Sequence, residues 1–343
     1  MSITIKDIAN KAEVSIATVS LVLNNKPGVK EETRKKILTI ARELNYNSEQ
    51  TMLLNKGEKK RIRFFQIAKH GHTVNRDHDV FISDYIHGIH EESVQNNCDL
   101  EISTYRNKNI SEIISSVNSS SIDGAIFLGT ELSSEDVQLL GSVSIPVVFI
   151  DTFYEFLNFP FVDMDNIDSV FKILSSFYKN GHREIGMIRT PVLVNNFHLR
   201  EIGFRKGLKE LGLSYKNEYV YSVDSTFDGA YKDMSNILNH SPKLPTAIFA
   251  ANDIMAYGCI KAIEEHGIKI PQDLSIIGFD DLPLSSVMKP ALTTMQVSKN
   301  EIGRISFFLL QDLLKNKENA HIKKVLINGE LISRESVQKI SFP

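Results

Sequence analysis

The chain has 343 residues, enough for two or three domains that each bury a hydrophobic core. Its net charge of −3 is unevenly distributed, because residues 1–61 contain 12 Lys and Arg against 7 Asp and Glu, whereas the rest contains 27 against 35. A basic segment on an acidic body is typical of a localised nucleic-acid-binding surface. Cys98 and Cys259 show no disulfide-scaffold or zinc-finger spacing, so neither a metal nor another cofactor is expected.

Export and membrane insertion are not indicated. The N-terminus lacks a basic and then apolar signal segment, and no apolar run approaches the roughly 18 residues of a membrane helix. We therefore expect a cytoplasmic protein that has no membrane partner.

Residues 4–24 predict two short helices joined by a tight turn. Thr4 and Asp7 have nearly the spacing of a capping box, and Ser15 is a suitable N-cap for the second helix. The inward face of that helix would carry Val19, Val22 and Leu23, and the outward face Ala17, Ser20, Leu21 and Asn24. This pattern favours a DNA-binding helix-turn-helix, although a helical hairpin that caps a larger domain is the alternative.

A third helix is predicted over residues 31–44, after a turn at residues 24–28. Its inward positions would be Ile37, Leu38, Ala41 and Leu44, and its other face carries Arg34, Lys35, Lys36 and Arg42. The basic face supports nucleic-acid binding.

From residue 62 onward, short apolar strands alternate with amphipathic helices, which predicts βαβ units and parallel sheets. The first series has strands near 62–68, 99–104, 123–128 and 147–151, and helices near 80–96, 109–118 and 133–141. The second has helices near 166–179, 197–211, 228–239 and 253–266, and strands near 184–189, 218–222, 245–250 and 274–279. A strand near 293–297, a helix at 299–316 and strands near 323–327 and 330–334 follow. We predict an α/β fold with two doubly wound lobes.

Polar residues follow several predicted strands, at the edge where open α/β sheets bind ligands. They are Thr130, Asp151, Asn252, Asp253 and Asp280, and Arg200 lies in the first turns of helix 197–211. Carboxylates, an amide and a guanidinium fork suit a polyhydroxylated ligand, since each hydroxyl both donates and accepts hydrogen bonds. Asp253 could instead cap its own helix, and Asp280 a turn.

Other chemistry is weakly supported. The chain lacks G-x-S-x-G, a P-loop and G-x-G-x-x-G after a strand, so we expect no enzyme. His70, His72 and His78 lie in a predicted loop and are expected to be solvated. His87 and His90 lack the helical spacing of a zinc site.

Several ordered motifs resemble those of the lactose-repressor (LacI/GalR) family of transcription regulators. In the head they are Thr4-Ile5-Lys6-Asp7-Ile8-Ala9, Val14-Ser15-Ile16-Ala17-Thr18-Val19-Ser20, Val22-Leu23-Asn24, Lys26-Pro27-Gly28-Val29, Glu31-Glu32-Thr33-Arg34 and Leu44-Asn45-Tyr46. Further along they are Lys179-Asn180-Gly181-His182-Arg183, Ala251-Asn252-Asp253, Ile276-Ile277-Gly278-Phe279-Asp280-Asp281 and Leu292-Thr293-Thr294-Met295.

The resemblance implies a DNA-binding domain at 1–46, a hinge at 47–61 and a two-lobed domain at 62–343 for effector binding and dimerisation. The two lobes would resemble periplasmic sugar-binding proteins, with three crossings between them, and helix 299–316 would return to the first lobe. Positions that match base-reading ones are Ile16, Ala17, Ser20 and Leu21, while Lys6, Thr18, Asn24 and Asn25 would position phosphates and Ser15 belongs to the same surface. Leu21 departs from the usual polar residue, since an aliphatic chain cannot read guanine by two hydrogen bonds.

The hinge also departs from the family. Ser48 replaces a usual proline, and counting from Tyr46 places Asn55 where a leucine wedges into the minor groove. Because an inserted amide leaves polar atoms unpaired, we predict that Leu54 takes this role.

For the effector, the resemblance matches Arg200 and Asp280 to the family's binding arginine and aspartate. Thr130, Asp151, Asp224 and Asn252 match more variable positions. Asp79-Val80-Phe81-Ile82 replaces the usual Asn-Pro-Phe-Phe, and Phe81 could stack on a sugar or belong to the core.

The resulting hypothesis is a homodimeric regulator, expected to be a repressor, that binds a pseudo-palindromic operator through the major groove and, at the hinge, the minor groove. A small-molecule effector, with a sugar as the expected class, would control DNA affinity. A body that senses a protein partner or a nucleobase-like ligand is the alternative. Residues 4–46 argue against a free solute-binding protein, and the lack of a heptad tail after Arg334 favours a dimer over a tetramer.

Overall fold

The computed structural model describes residues 4–23, 26–44, 46, 59–316 and 321–341. The chain divides into two compact units, Met1–Lys60 and Arg61–Pro343, called here the head and the body. The expected boundaries at residues 46 and 61 stay predictions, because residues 47–58 lie outside the described part of the chain.

The described residues of the head form three helices, α1 (Ile5–Ala12), α2 (Ile16–Leu23) and α3 (Glu31–Glu43). The capping signals act as predicted, since the Thr4 backbone N–H donates to Asp7 Oδ2 at 2.8 Å and the Thr18 N–H donates to Ser15 Oγ at 3.0 Å. Glu13 turns the chain between α1 and α2 in the left-handed region, with φ 61°. These local contacts fix where α1 and α2 begin.

Small and β-branched side chains make the core of the head. Its buried members are Ile8, Ala9, Ala12, Val19, Val22, Leu23, Ile37, Ile40 and Ala41. The predicted inward face of α2 is therefore confirmed. In α3 the prediction missed Ile40, and Leu38 and Leu44 are only partly buried. Burial of each large aliphatic side chain contributes about 1.5–3 kcal/mol, which is how three short helices hold together.

The described part of the body forms two six-stranded sheets, one for each of the two lobes that the alternation of strands and helices predicts. In chain order its strands are β1 (Lys60–Ala68), β2 (Cys98–Arg106), β3 (Gly124–Leu128), β4 (Val147–Ile150), β5 (Phe161–Met164), β6 (Ile185–Arg189), β7 (Val220–Ser222), β8 (Ala247–Ala250), β9 (Ser275–Asp280), β10 (Thr293–Gln296), β11 (Lys324–Ile327) and β12 (Glu330–Ile332). Its helices are α4 (Asp79–Gln95), α5 (Ile110–Ser119), α6 (Ser134–Leu140), α7 (Asn166–Lys179), α8 (Asn195–Glu210), α9 (Phe227–Leu238), α10 (Asp253–Glu265) and α11 (Lys299–Lys315).

Strand order separates the two lobes. The first lobe holds the sheet β11-β5-β4-β3-β1-β2, and the second lobe holds β12-β10-β9-β8-β6-β7. The β3–β4 and β8–β9 pairs are parallel, whereas β10 and β12 are antiparallel. The chain crosses between the lobes after β5, after β10 and after β11, so the three expected crossings are confirmed.

Two glycines allow α11 to return to the first lobe and pack closely on α4. A Cβ on Gly88 would lie 2.1 Å from the backbone oxygen of Asn300, and one on Gly303 would lie 2.3 Å from that of Tyr85. This close crossing fixes the face of α4 that carries Phe81 and Tyr85.

Candidate functional site

Residues that follow strands of both lobes line a cleft between them, at the edge where open α/β sheets bind ligands. The cleft encloses a cavity of about 30 Å³. The first lobe contributes Thr73, His78, Phe81, Ile82, Thr130 and Asp151. The second lobe contributes Val194, Asn196, Phe197, Arg200, Asn252 and Asp280. Six of the eight predicted effector residues therefore line one cavity, and Asp224 and Asp253 do not.

Arg200 is the central cation of this cavity and is 3% exposed. It extends from α8 with its guanidinium carbon 3.7 Å from the centre of the Phe279 ring, which is a cation–π distance. Its Nε donates to Asn166 Oδ1 at 2.9 Å. Packing and hydrogen bonding thus fix the guanidinium before any ligand arrives.

Asp280 leaves one buried oxygen without a hydrogen bond. Among the residues that the structure describes, no donor lies within hydrogen-bonding distance of Asp280 Oδ1, and the closest cation, Arg200 Nη2, is 3.6 Å away. Burial raises the pKa of this carboxyl group from 3.8 to about 8, against the opposing effect of Arg200. Asp280 also has φ 117°, a strained conformation for a residue with a side chain. An unsatisfied buried acceptor at a strained residue is typical of a ligand site.

Asp151 is held by side chains from both lobes. Its carboxylate accepts hydrogen bonds from Tyr85 at 3.0 Å, from Asn196 at 3.0 Å and from Thr130. Burial raises the pKa of Asp151. Burial and the neighbouring charge of Asp151 both raise the pKa of Asp163. The cavity is therefore rich in carboxyl oxygens, with Arg200 as its buried guanidinium.

The prediction that His78 is solvated is wrong. This side chain is 6% exposed, and its Nε2 lies 3.3 Å from Asn252 Nδ2 in the other lobe. Burial lowers the pKa of His78 to about 4, so the imidazole is neutral at physiological pH. The loop before α4 thus forms one wall of the cleft.

Asp253 is placed away from the cavity and has a structural role. Its carboxylate accepts from the Leu282 N–H at 2.9 Å, from Ser285 at 2.7 Å and from Thr294 at 2.7 Å. These three donors satisfy both oxygens, so none is left for an effector. The alternative that Asp253 caps α10 is also wrong, because the N-cap is Asn252, whose Oδ1 accepts from the Met255 N–H.

Asp224 also lies outside the cavity. Its carboxylate accepts from the Thr226 N–H at 2.8 Å and from the Thr226 hydroxyl at 2.6 Å. His72 Nδ1 of the first lobe lies 3.5 Å from Asp224 Oδ2. Asp224 therefore faces the first lobe at another point of the cleft.

Glu131 was not predicted, yet it shapes the cleft. Its buried carboxylate accepts four backbone N–H groups of the loop before α4, from His70, Gly71, Thr73 and Val74, at 2.8 to 3.0 Å. Burial raises the pKa of Glu131, but the backbone hydrogen bonds outweigh this effect and lower the pKa to about 2. The carboxylate fixes the loop that carries Thr73 and His78 into the cavity.

Tyr85 and Asn196 were also missed. The sequence did contain a signal for Tyr85, because it lies four residues after Phe81 and therefore on the same helix face. In the structure the two rings pack edge to face, with their centres 5.2 Å apart. Asn196 follows Asn195 at the start of α8 and had no signal beyond that position.

The head presents the predicted DNA-binding residues on and around α2. Ile16 is 52% exposed, and Lys6, Ser15 and Ala17 are exposed as well. Thr18, Ser20 and Leu21 are half-buried. Asn24 and Asn25 lie outside the described residues, as do Leu54 and Asn55 of the hinge.

Comparison with known proteins identifies the family. Residues 4–49 match the model of bacterial regulatory proteins of the lacI family, and residues 174–337 match a periplasmic binding protein-like domain. The transcriptional repressor CytR of Escherichia coli K12 is 32% identical over 98% of this chain and 97% of its own length. The chain belongs to the lacI family. It is therefore a helix-turn-helix, DNA-binding transcriptional repressor and not an enzyme.

Other family members agree in sequence and fold. The repressor PurR of Haemophilus influenzae is 29% identical over 98% of this chain and 99% of its own. The lac repressor dimer bound to operator and the anti-inducer ONPF has a TM-score of 0.73 at 22% identity, covering 98% of this chain and all of that one. A LacI family regulator from Enterococcus faecium with bound ribose has a TM-score of 0.68 at 22% identity, covering 82% and 100%. Repressors of the family bind operator DNA and small-molecule effectors and are dimers.

Membrane-spanning helices and metal clusters are both absent from the described residues. No helix in those ranges is long and apolar enough to span a bilayer. The same ranges contain no cluster of His, Cys, Asp and Glu that could hold a metal ion.

Proposed function

We propose that this chain is a homodimeric repressor of a pseudo-palindromic operator, and that a small hydroxylated molecule of the sugar class binds between its lobes and controls DNA affinity. Within this proposal, residues 1–46 bind DNA, 47–61 form the hinge and 62–343 bind the effector and the second subunit. Ile16, Ala17, Ser20 and Leu21 read bases.

The observation that carries the effector proposal is the unsatisfied Asp280 Oδ1 beside Arg200. A sugar hydroxyl can donate to a carboxylate and accept from a guanidinium, so one group would serve both side chains. Asn252, Asp151 and Thr130 supply further polar groups, and the Phe81 ring provides an apolar surface.

A ligand would act through contacts that close the lobes on each other. Asn195 Nδ2 donates to the Phe153 carbonyl at 2.6 Å, and the Ser225 hydroxyl donates to the His72 carbonyl at 3.0 Å. A ligand changes this arrangement only by the difference between its affinities for the open and closed forms. That difference is what the hinge would transmit to DNA.

Asp280→Asn and Asp253→Asn form a matched pair that tests this proposal. The unfolding midpoint is measured with sugars, sugar phosphates and nucleosides, since a ligand of the folded state raises it. We expect Asp280→Asn to weaken the response at least tenfold when the response is measured above pH 8, where Asp280 is ionised and a charged hydrogen bond contributes about 1.5–3 kcal/mol. Asp253→Asn should lower the midpoint but leave the ligand shift intact. If Asp280→Asn responds like the parent, or if none of these compounds raises the midpoint, the effector proposal fails.

A further inference from the structure

The outward face of α2 consists mainly of hydrocarbon. The helix contains no acidic, basic or amide side chain along its eight residues. Ile16 is 52% exposed, Ala17 is exposed, and Ser20 and Leu21 are half-buried. Its other large apolar side chains are buried in the core of the head. This face therefore presents three aliphatic side chains and one hydroxyl group.

The hydroxyl groups on and beside this face add little base specificity. Ser15 Oγ accepts from the Thr18 N–H at 3.0 Å, and the hydroxyls of these two residues hydrogen-bond to each other at 2.8 Å. Both groups therefore serve the start of the helix. The Ser20 hydroxyl can donate or accept, so it can pair with the edge of any base and does not distinguish between them.

The cations of the head lie on other elements. Lys6 is exposed on α1, and Lys35 and Lys36 are exposed on α3. Cations at such positions would bind phosphates, which are the same in every DNA sequence. Affinity for DNA in general and preference for one sequence would therefore come from different parts of the head.

Thymine is the base whose apolar group matches this face of α2. In the major groove, guanine is read by Arg or Lys, adenine by Asn or Gln, and cytosine by Asp or Glu, and α2 contains none of these side chains. Thymine presents a 5-methyl group there, which an aliphatic side chain can contact. Burial of one methyl group contributes about fourfold in affinity.

We infer that α2 recognises its half-site through the 5-methyl groups of thymine, and that Ile16, Ala17 and Leu21 are the residues that contact them. This inference rests on the proposed operator function and specifies how its base-reading surface works. The preferred half-site then contains thymine where α2 lies against the groove, and sequence preference comes from the positions of the methyl groups. Recognition through hydrogen bonds to the other bases would not depend on a methyl group.

Replacement of thymine by deoxyuridine in the operator tests the inference, because uracil lacks only the 5-methyl group and pairs with adenine as thymine does. The operator is the duplex that the parent chain selects from a random pool, and its affinity is measured by fluorescence anisotropy. We expect single replacements to weaken binding about fourfold at each thymine that α2 contacts, and replacement of every thymine in both half-sites to weaken it at least tenfold. A random duplex should bind equally with thymine or uracil, because its phosphates are unchanged.

Variants of the head assign the methyl contacts. Leu21→Ala should reduce the loss of affinity that uracil causes, and Ile16→Ala repeats the test at a side chain whose exposure leaves the core intact. Lys6→Ala is the control, because it should weaken binding to the thymine and uracil operators by the same factor. Equal affinity of the parent for both operators, or an undiminished loss in both Leu21→Ala and Ile16→Ala, overturns the inference while the operator proposal survives. If the parent chain selects no preferred duplex, both fail.

Discussion

Asp280 is a residue at which protonation and folding are linked. Burial raises its pKa from 3.8 to about 8, so the folded chain holds a proton that the unfolded chain releases near pH 4. The resulting stabilisation is fully present below the unfolded pKa and is lost as the pH rises through about 8. Burial shifts the pKa of Asp151 and Asp253 in the same direction.

We predict that Asp280→Asn flattens the pH dependence of stability between about pH 4 and pH 8. In the parent without ligand, the free energy of unfolding should fall over this range in part because Asp280 ionises. Asparagine has a similar volume and cannot ionise, so the difference between the two proteins isolates this one group from Asp151 and Asp253. Urea unfolding at several pH values provides the measurement.

Asp228 of α9 is an exposed aspartate that serves as the control. Asp228→Asn removes a carboxyl group outside the cleft, so the flattening expected for Asp280→Asn should be absent from this variant. Parallel curves for the parent and Asp280→Asn would show that this carboxyl group does not link folding to pH.

At the scale of elements, the predictable features were those set by local sequence. Caps at Thr4 and Ser15 located α1 and α2, and the change from helical to alternating periodicity located the body. Strand β5 (Phe161–Met164) was missed because Asp163 interrupts its short apolar run, whereas the equally short β4 is wholly apolar and was predicted. Its Asp163 belongs to the carboxylate cluster, so missing the strand also meant missing the residue.

The site was predictable where a strand end marks it and unpredictable where tertiary contacts create it. Thr130, Asp151, Asn252 and Asp280 follow strands and were found. Asp253 directly follows Asn252 and the same predicted strand, yet its carboxylate accepts hydrogen bonds from Ser285 and Thr294. Adjacent residues at a helix start point in different directions, and sequence spacing does not say which one faces the cleft.

Helices α1 and α2 each provide one residue of a pair that tests the two kinds of DNA contact. Ile16 is an exposed apolar side chain at the start of α2, whereas Lys6 of α1 is an exposed cation. We predict that Ile16→Ala lowers operator affinity by about 1–3 kcal/mol but leaves binding to random duplex unchanged. Lys6→Ala should weaken binding to both and reduce the salt slope by about one, because it removes one phosphate contact.

Fluorescence anisotropy with operator and random duplexes, over a range of salt concentrations, separates the two effects. The operator can be selected from a random pool by the parent protein. If Ile16→Ala weakens both duplexes equally, Ile16 contributes no base recognition and the assigned reading surface of α2 is wrong.

At the scale of the whole molecule, the proposed mechanism requires the cleft to influence DNA through residues 47–61. Contacts between the lobes include His78–Asn252, Ser225–His72, Asn195–Phe153 and Asn196–Asp151, and a ligand would alter these first. Three segments of the chain connect the lobes, so a change in the arrangement of the lobes moves all three segments. Ligand-dependent repression then depends on how the hinge contacts the operator.

We predict that Leu54 is the residue that wedges into the minor groove, although counting along the family pattern points to Asn55. Inserting an apolar side chain between base steps kinks DNA, and the larger protein surface that the bent duplex covers compensates for the lost stacking. An asparagine there would bury amide atoms without partners, which costs about 1–3 kcal/mol. Leu54→Ala should therefore lower operator affinity and reduce the bend measured by energy transfer between dyes at the two ends of the site. Asn55→Ala should leave both unchanged. The opposite result would restore the family register, and no change in either variant would mean that this repressor binds its operator without a leucine wedge.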